Sequence, residues 1–448
     1  MSRTIRTAPQ RAAAPAGFRL GERLRQLRVS AGLTQTELAG ERFSKEYVSQ
    51  IERGKTRPTR ETIEWLAQRL GVDADFLANG VSSDQRGKVE ASLSRAEALI
   101  QAGQDAEAVD EFQSVRAAVL ATGLHELEVR ALVGDAYARM RTGDVRESIE
   151  LLLRAREISE GPDFSDLERA EVLSRLGCAR HLLSSNQTAL GLFNEALALA
   201  EGSGLPCDRL LSEILNWRSR CYRRQRDLHA AREDVERALE LAEHIEDPRV
   251  VANLYFQASI VADRAGHWVL ARSYAERAKA HYEEIADRRN LGRLLNNLGG
   301  LNFLLGRPEE AVTFLKDAFR VALDLGNDGE AAQAISSLAQ VHLRTGQVEL
   351  AEEQSRHALR LLAGRDDFLD EVGNAQLVLG RSLLEQDRLD EAEEMLTAAD
   401  SSFEQLSSIS HRAAAWVAQG DLATRRGDDR TAARFYRKAA EGLQDVRF

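Results

Sequence analysis

Lys45, Glu46, Ser49 and Gln50 stand at a spacing that places four polar side chains on one face of a helix. Val48 and Ile51 fall on the other face and turn inward. Such a polar face fits the major groove of duplex DNA, where a glutamine can hydrogen-bond adenine in two places and a lysine can donate to guanine. Immediately after it, residues 53–60 (Arg-Gly-Lys-Thr-Arg-Pro-Thr-Arg) carry four cations, and Pro58 prevents the stretch from continuing as helix. A cationic loop beside a polar helix has the chemistry for phosphate contact.

Presenting that face requires a small helical scaffold, and apolar periodicity outlines one. Leu20, Leu24 and Leu27 mark a first helix that stops near Gly32. Thr34 can cap a second helix carrying Leu38 and Ala39, and Ser44 can cap the third, with Phe43 placed to staple onto its first turn. Ile63, Leu66, Ala67 and Leu70 form a fourth amphipathic helix, and Val72, Phe76 and Leu77 close the core of a five-helix bundle.

Residues 18–80 resemble an Xre/Cro-type helix-turn-helix domain, from Leu33-Thr34-Gln35 through Ser49-Gln50-Ile51-Glu52-Arg53-Gly54-Lys55 to Leu70-Gly71-Val72-Asp73. The resemblance implies that Gln35 and Tyr47 lie near the sugar-phosphate backbone of double-stranded DNA. Ser44 caps the reading helix, Lys45, Glu46 and Gln50 approach base edges beside Ser49, and Arg53, Lys55 and Arg57 contact phosphates. It also implies a structural ion pair between Arg28 and Glu52. One departure is that the turn before the third helix, Gly40-Glu41-Arg42-Phe43, is a residue shorter than the family pattern and lacks its usual glycine just before that helix, which leaves the helix angle open. Gly54-Lys55-Thr56 has the ending of a phosphate-binding loop, but Ser49 stands where that motif needs glycine and no strand precedes it.

From about residue 88 the chain repeats. Gly103, Gly143, Ser184, Arg226, Gly266, Gly306, Gly346, Asp387 and Gly427 serve as turn anchors spaced by 40 to 42 residues. Seven before each anchor stands Ala, Gly or Ser; five after stands Ala or, once, Ser. Small residues at fixed places let paired helices approach closely, and this period means a superhelical stack. The pattern resembles a tetratricopeptide (TPR) array of nine long-helix units. The expected architecture is all-α: a flexible tail at 1–17, the bundle at 18–80, a linker at 81–88 and a right-handed α-solenoid at 89–448. The family's groove-lining positions fall on Asn216, Arg220, Arg223, Arg224, Asn253, Arg264, Asn296 and Asn374. Asparagines can bond an extended peptide backbone and arginines can fork onto carboxylates, which implies a peptide or protein ligand. The same arginines read equally as a solvated helix paired with nearby glutamates.

The net charge of −11 is unevenly spread: residues 1–80 hold fourteen Lys and Arg against nine Asp and Glu, a balance of +5, which leaves −16 for the remainder. A basic head on an acidic body is expected where only the head meets phosphate. With 43% hydrophobic and 29% charged residues the chain is not disordered as a whole. Cys178, Cys207 and Cys221 have no metal or redox spacing. The first residues lack an apolar signal core, and no apolar run reaches membrane-spanning length, so a cytoplasmic protein with no membrane partner is expected. No catalytic motif, metal cluster or cofactor fingerprint appears, and His125, His181 and His342 read as surface or packing residues. Phe435, Tyr436, Leu443 and Phe448 sit in the last helix without a cap, which leads to the expectation of a homodimer through the C-terminal units. Together the modules resemble the peptide-pheromone receptors of Gram-positive bacteria, implying a transcriptional regulator whose array senses a peptide. The alternatives are an adaptor that recruits a partner to DNA and a scaffold with a vestigial head.

Overall fold

A computed structural model describes residues 16–365, 368–406 and 408–444. The expected tail falls mostly outside them, as does Phe448. Regular structure among the described residues is entirely α-helical, with twenty-three helices. The chain divides into two compact units between Leu205 and Pro206.

The first unit opens with α1 (Ala16–Ser30), α2 (Gln35–Ala39), α3 (Lys45–Glu52), α4 (Arg60–Leu70) and α5 (Ala74–Asn79). Their shared core is Leu24, Leu38, Val48, Ile51, Leu66 and Leu77, all essentially without solvent contact. Thr34, Ser44, Thr59 and Asp73 cap α2 to α5 by accepting backbone N–H donors, and Thr34 forms a reciprocal capping box with Glu37. Gly21 lets α1 lie directly against α3: a Cβ there would stand 2.3 Å from the Ile51 carbonyl oxygen.

The same unit continues with three helix pairs: α6 (Ser83–Gln101) with α7 (Asp105–Thr122), α8 (His125–Thr142) with α9 (Val145–Ser159), and α10 (Asp166–Leu182) with α11 (Asn186–Gly202). The stretch expected as a linker, 81–88, is therefore helical from Ser83 onward. Ser82 caps it through Gln85 N–H and Val81 is buried, so the chain has both the start signal and the apolar anchor for a helix there.

The second unit holds six pairs. They are α12 (Asp208–Arg224) with α13 (Leu228–Ala242), α14 (Pro248–Arg264) with α15 (Trp268–Glu284), and α16 (Arg288–Leu304) with α17 (Pro308–Asp324). There follow α18 (Asp328–Arg344) with α19 (Val348–Leu361), α20 (Leu369–Glu385) with α21 (Leu389–Gln405), and α22 (Ile409–Arg425) with α23 (Asp429–Gln444). First helices of successive pairs meet at α12–α14, α16–α18, α18–α20 and α20–α22, whereas second helices do not pack comparably. The first helices thus form the tighter, inner layer.

All nine turn anchors adopt positive φ, between 56° and 96°, including the non-glycines Ser184, Arg226 and Asp387. The small residues explain the pairing. Ala96, Ala136, Ser219, Ser259 and Ala339 on first helices are essentially inaccessible, as are Ala108, Ser148, Ala189, Ala231, Ala271, Ala311, Ala351 and Ala392 on second helices. Gly299 shows the reason: a Cβ there would meet Leu315 Cγ at 2.5 Å, so the facing leucine takes the space a side chain would need.

Candidate nucleic-acid interface and array groove

The reading helix α3 begins where Ser44 Oγ accepts from Tyr47 N–H at 3.1 Å. Buried Val48 and Ile51 fix its rotation, which leaves Lys45, Glu46 and Gln50 exposed and Tyr47 and Ser49 half-buried. Phe43 packs 5.1 Å edge-on to Trp65 of α4 and 5.3 Å from the Tyr47 ring, so it braces α3 against α4 as well as its own first turn. The short turn is accommodated by Gly40, which takes φ 55° and ψ −145°, a region open essentially to glycine alone.

Glu52 holds the reading elements together. Its carboxylate accepts from Arg28 Nε at 2.6 Å and Nη2 at 3.2 Å, and from Gln35 Nε2 at 2.7 Å. Arg28 also donates to the Leu33 carbonyl at 2.8 Å. The glutamate side chain is 4% exposed and the arginine 13%, so one buried acid ties α1, α2 and α3 to each other. Gln35 is thus part of this bracing as well as lying at the start of α2.

Arg53, Lys55 and Arg57 are exposed, and neither they nor Lys45 form an ion pair among the described residues. Gly54 ends α3 at φ 68°, and Lys55 N–H reaches back to the Gln50 carbonyl at 2.9 Å, which folds the cationic loop beside the reading face. Sequence reasoning missed one side chain here. Thr56 Oγ donates to Gln50 Oε1 at 3.0 Å, holding the amide so that its NH2 and the second lone pair of its oxygen stay available. A hydroxyl six residues after an exposed amide, across a glycine turn, was the signal.

In the array, the eight groove candidates lie on first helices, the inner layer. Asn216 is buried with Oδ1 lacking a protein partner, and Asn296 Oδ1 is in the same state. Gln257 of α14 adds a third such atom, Nε2, at 2% exposure; its burial hid it from sequence inspection. Asn253 Oδ1 accepts from Tyr282 OH at 2.8 Å and is committed internally. The Arg220 guanidinium lies 4.4 Å over the Trp217 ring. Burial, with Arg264 and Arg224 adding repulsion, holds the Arg223 guanidinium below its ordinary range. Arg224 and Arg264 are exposed, and Asn374 is half-buried. Burial also pushes the Cys221 thiol up to about 11, so it stays protonated near neutrality.

Each unit also holds a cavity of its own. In the second unit one of about 490 Å³ is lined by Leu343, Arg344, Arg381, Leu384, Asp421 and Tyr436, among others. Counting back from Gly346 and Asp387 as from the central anchors would have named Arg344 and Arg381. In the first unit one of about 390 Å³ has Glu97, Glu126, Glu168 and Glu171 against Arg130 and Arg175, with Arg175 4.7 Å over Tyr137.

Comparison with known proteins agrees with this geometry. Residues 19–79 match the helix-turn-helix domain model, and residues 212–245, 285–364 and 377–445 match tetratricopeptide repeat models. The chain is 42% identical over 65 residues to the HTH-type transcriptional regulator DdrOP3 of Deinococcus deserti, a match covering 14% of this chain and half of that protein's length. It is 46% identical over 54 residues to the uncharacterized HTH-type transcriptional regulator y4dJ of Sinorhizobium fredii, covering 12% of this chain and 70% of that protein. In fold it is similar to the apo form of RapI (TM-score 0.62, 12% identity, 80% of this chain and 98% of that one). It is likewise similar to the apo quorum sensor NprR from B. thuringiensis (TM-score 0.60, 14% identity, 80% and 99%). The class is therefore a helix-turn-helix DNA-binding domain joined to a TPR array. The chain belongs to the HTH-type transcriptional regulators.

Proposed function

We propose that the protein is a sequence-specific transcriptional regulator in which α3 reads the major groove and the array binds a peptide or protein segment that modulates DNA affinity. The observation that carries the DNA half is the exposed Lys45, Glu46 and Gln50, with half-buried Ser49 between them, beside Arg53, Lys55 and Arg57, cations that no acid of the described chain neutralises. Gln50, steadied by Thr56, reads a base edge, and the loop sets the register on phosphate.

The ligand half is supported by Asn216, Gln257 and Asn296, whose buried polar atoms have no protein partner on the layer where a bound segment would lie. A quorum sensor, NprR, shares the fold. Ligand binding modulates DNA affinity to the extent that the ligand prefers one pitch of the stack. A homodimer would present two reading helices about one DNA turn apart.

The test is selection of genomic fragments by the full chain, followed by DNA affinity with and without candidate peptides. Enrichment of a palindromic site, lost in Gln50→Ala, is expected. Equal retention of genomic and random competitor DNA would overturn the reading. Enrichment that no peptide alters would instead favour an adaptor.

A further inference from the structure

The 490 Å³ cavity of the second unit is built from two kinds of surface. Leu343 and Leu384 give it an apolar wall, and Arg344 and Arg381, on α18 and α20, bring two guanidinium groups to it. Three arginines line it in all, but Arg425 is consumed: it pairs with Glu385 at 3.0 Å and Asp387 at 3.1 Å and donates to the Leu384 carbonyl at 2.8 Å. Asp421 is the one further acid on the lining, and it accepts from Tyr436 OH at 2.7 Å. Arg344 is exposed and has no ion pair among the described residues, and Arg381 spends one donor on the Ala414 carbonyl at 3.2 Å. Burial and the neighbouring Arg344 hold Arg381 below its usual range despite Asp421, so an added anion there would relieve unbalanced positive charge.

We propose that this cavity is a carboxylate subsite, in which Arg344 and Arg381 bind one carboxylate of a peptide while an adjacent apolar side chain packs on Leu343 and Leu384. The lining charges leave a single net positive charge, which suits a monoanion; Asp421 would repel a phosphate dianion. The inference rests on the reading of the array as a peptide groove and deepens it: the ligand must carry an acid, at its C terminus or on an Asp or Glu side chain, next to an apolar residue.

The experiment exposes the immobilised full chain to three random heptapeptide pools and measures retained peptide by mass spectrometry. One pool has a free C terminus and no Asp or Glu, the second has an amidated C terminus and no Asp or Glu, and the third is amidated but contains Asp and Glu. Retention of the first or third pool at least about tenfold above the second is expected, a ratio in the range of a charge-assisted hydrogen bond. Which of the two is retained identifies the source of the carboxylate. The preference should vanish in Arg344→Gln, a change at an exposed residue that leaves the fold intact, and in Arg381→Gln. Arg381→Lys, which keeps the charge but not the fork, should retain part of it. Equal retention of all pools, or a preference that survives Arg344→Gln, overturns the subsite and leaves the groove reading standing. Retention of no pool overturns both.

Discussion

The head and the repeat array solve the problem of a stable helical surface in opposite ways. In the head a few unlike contacts each occur once: Glu52 takes Arg28 and Gln35 together, Gly21 admits the end of α3, and Phe43 braces against Trp65. In the array one device, a buried small residue on the first helix, recurs along nine pairs of the described chain, and at Gly177, Gly299, Gly380 and Gly420 a bulky side chain of the second helix takes the space. Its charges are also largely spent within the chain, in pairs between neighbouring repeats such as Arg130–Glu97, Arg272–Glu310 and Arg388–Glu352. In the head's loop Arg53, Lys55 and Arg57 form no ion pair among the described residues. Charge is left open where another polyanion is the expected partner, and satisfied where the partner is the next repeat. A defect should therefore be global in the head and local in the array.

The sharpest attack on that contrast is Glu52→Ala, which leaves a nearly buried guanidinium unpaired and should cost the head about 3–5 kcal/mol. Calorimetry should show an early transition for the head with the array's melting unmoved; a matching fall in both would dissolve the distinction. Next, Gln50→Ala should lose about 1–3 kcal/mol of discrimination at one base pair in a competition assay. Thr56→Val should weaken preference at that same base pair, by about 1 kcal/mol. Lys55→Ala should weaken all sequences alike and lower the salt-dependence slope by about one. In the array, Arg226→Gly removes the left-handed strain of a side-chain-bearing turn residue and should stabilise it by about 1 kcal/mol in urea unfolding. An unchanged midpoint would mean that the strain is relieved elsewhere.

The smallest expected effect concerns His342, whose buried ring donates from Nδ1–H to Gln354 Oε1 at 3.0 Å and whose pKa lies below the ordinary value through burial, with Lys316 adding repulsion. The unfolded chain takes up the proton first. The contribution is thus complete above about pH 6.5 and is lost as pH falls from there through the folded-state value. His342→Gln should flatten array stability between pH 7 and 5; an unaltered pH profile would remove this histidine from the account.

Much of both regions was legible beforehand because local rules were obeyed. Ser44 and Thr34 cap where their side chains predict, and the anchors chosen by period alone all adopt positive φ, even at Ser184, Arg226 and Asp387. The stretch 81–88, expected as a linker, is helical from Ser83 because Ser82 caps it through Gln85 N–H, a start signal left unread in the sequence. Thr56 and the Arg344–Arg381 cavity escaped notice for another reason: each is a meeting of residues whose neighbours come from different turns or repeats.

Periodicity and capping depend on residues within a few positions of each other, so the sequence alone determined the helices, their pairing and the polar face of α3. Which polar atoms are left buried without a partner, which arginines face a cavity and which glutamate receives two donors at once depend on distances between elements. Those were decided only when the helices packed, because an electrostatic or steric encounter has no signature in the chain until its members share the same space.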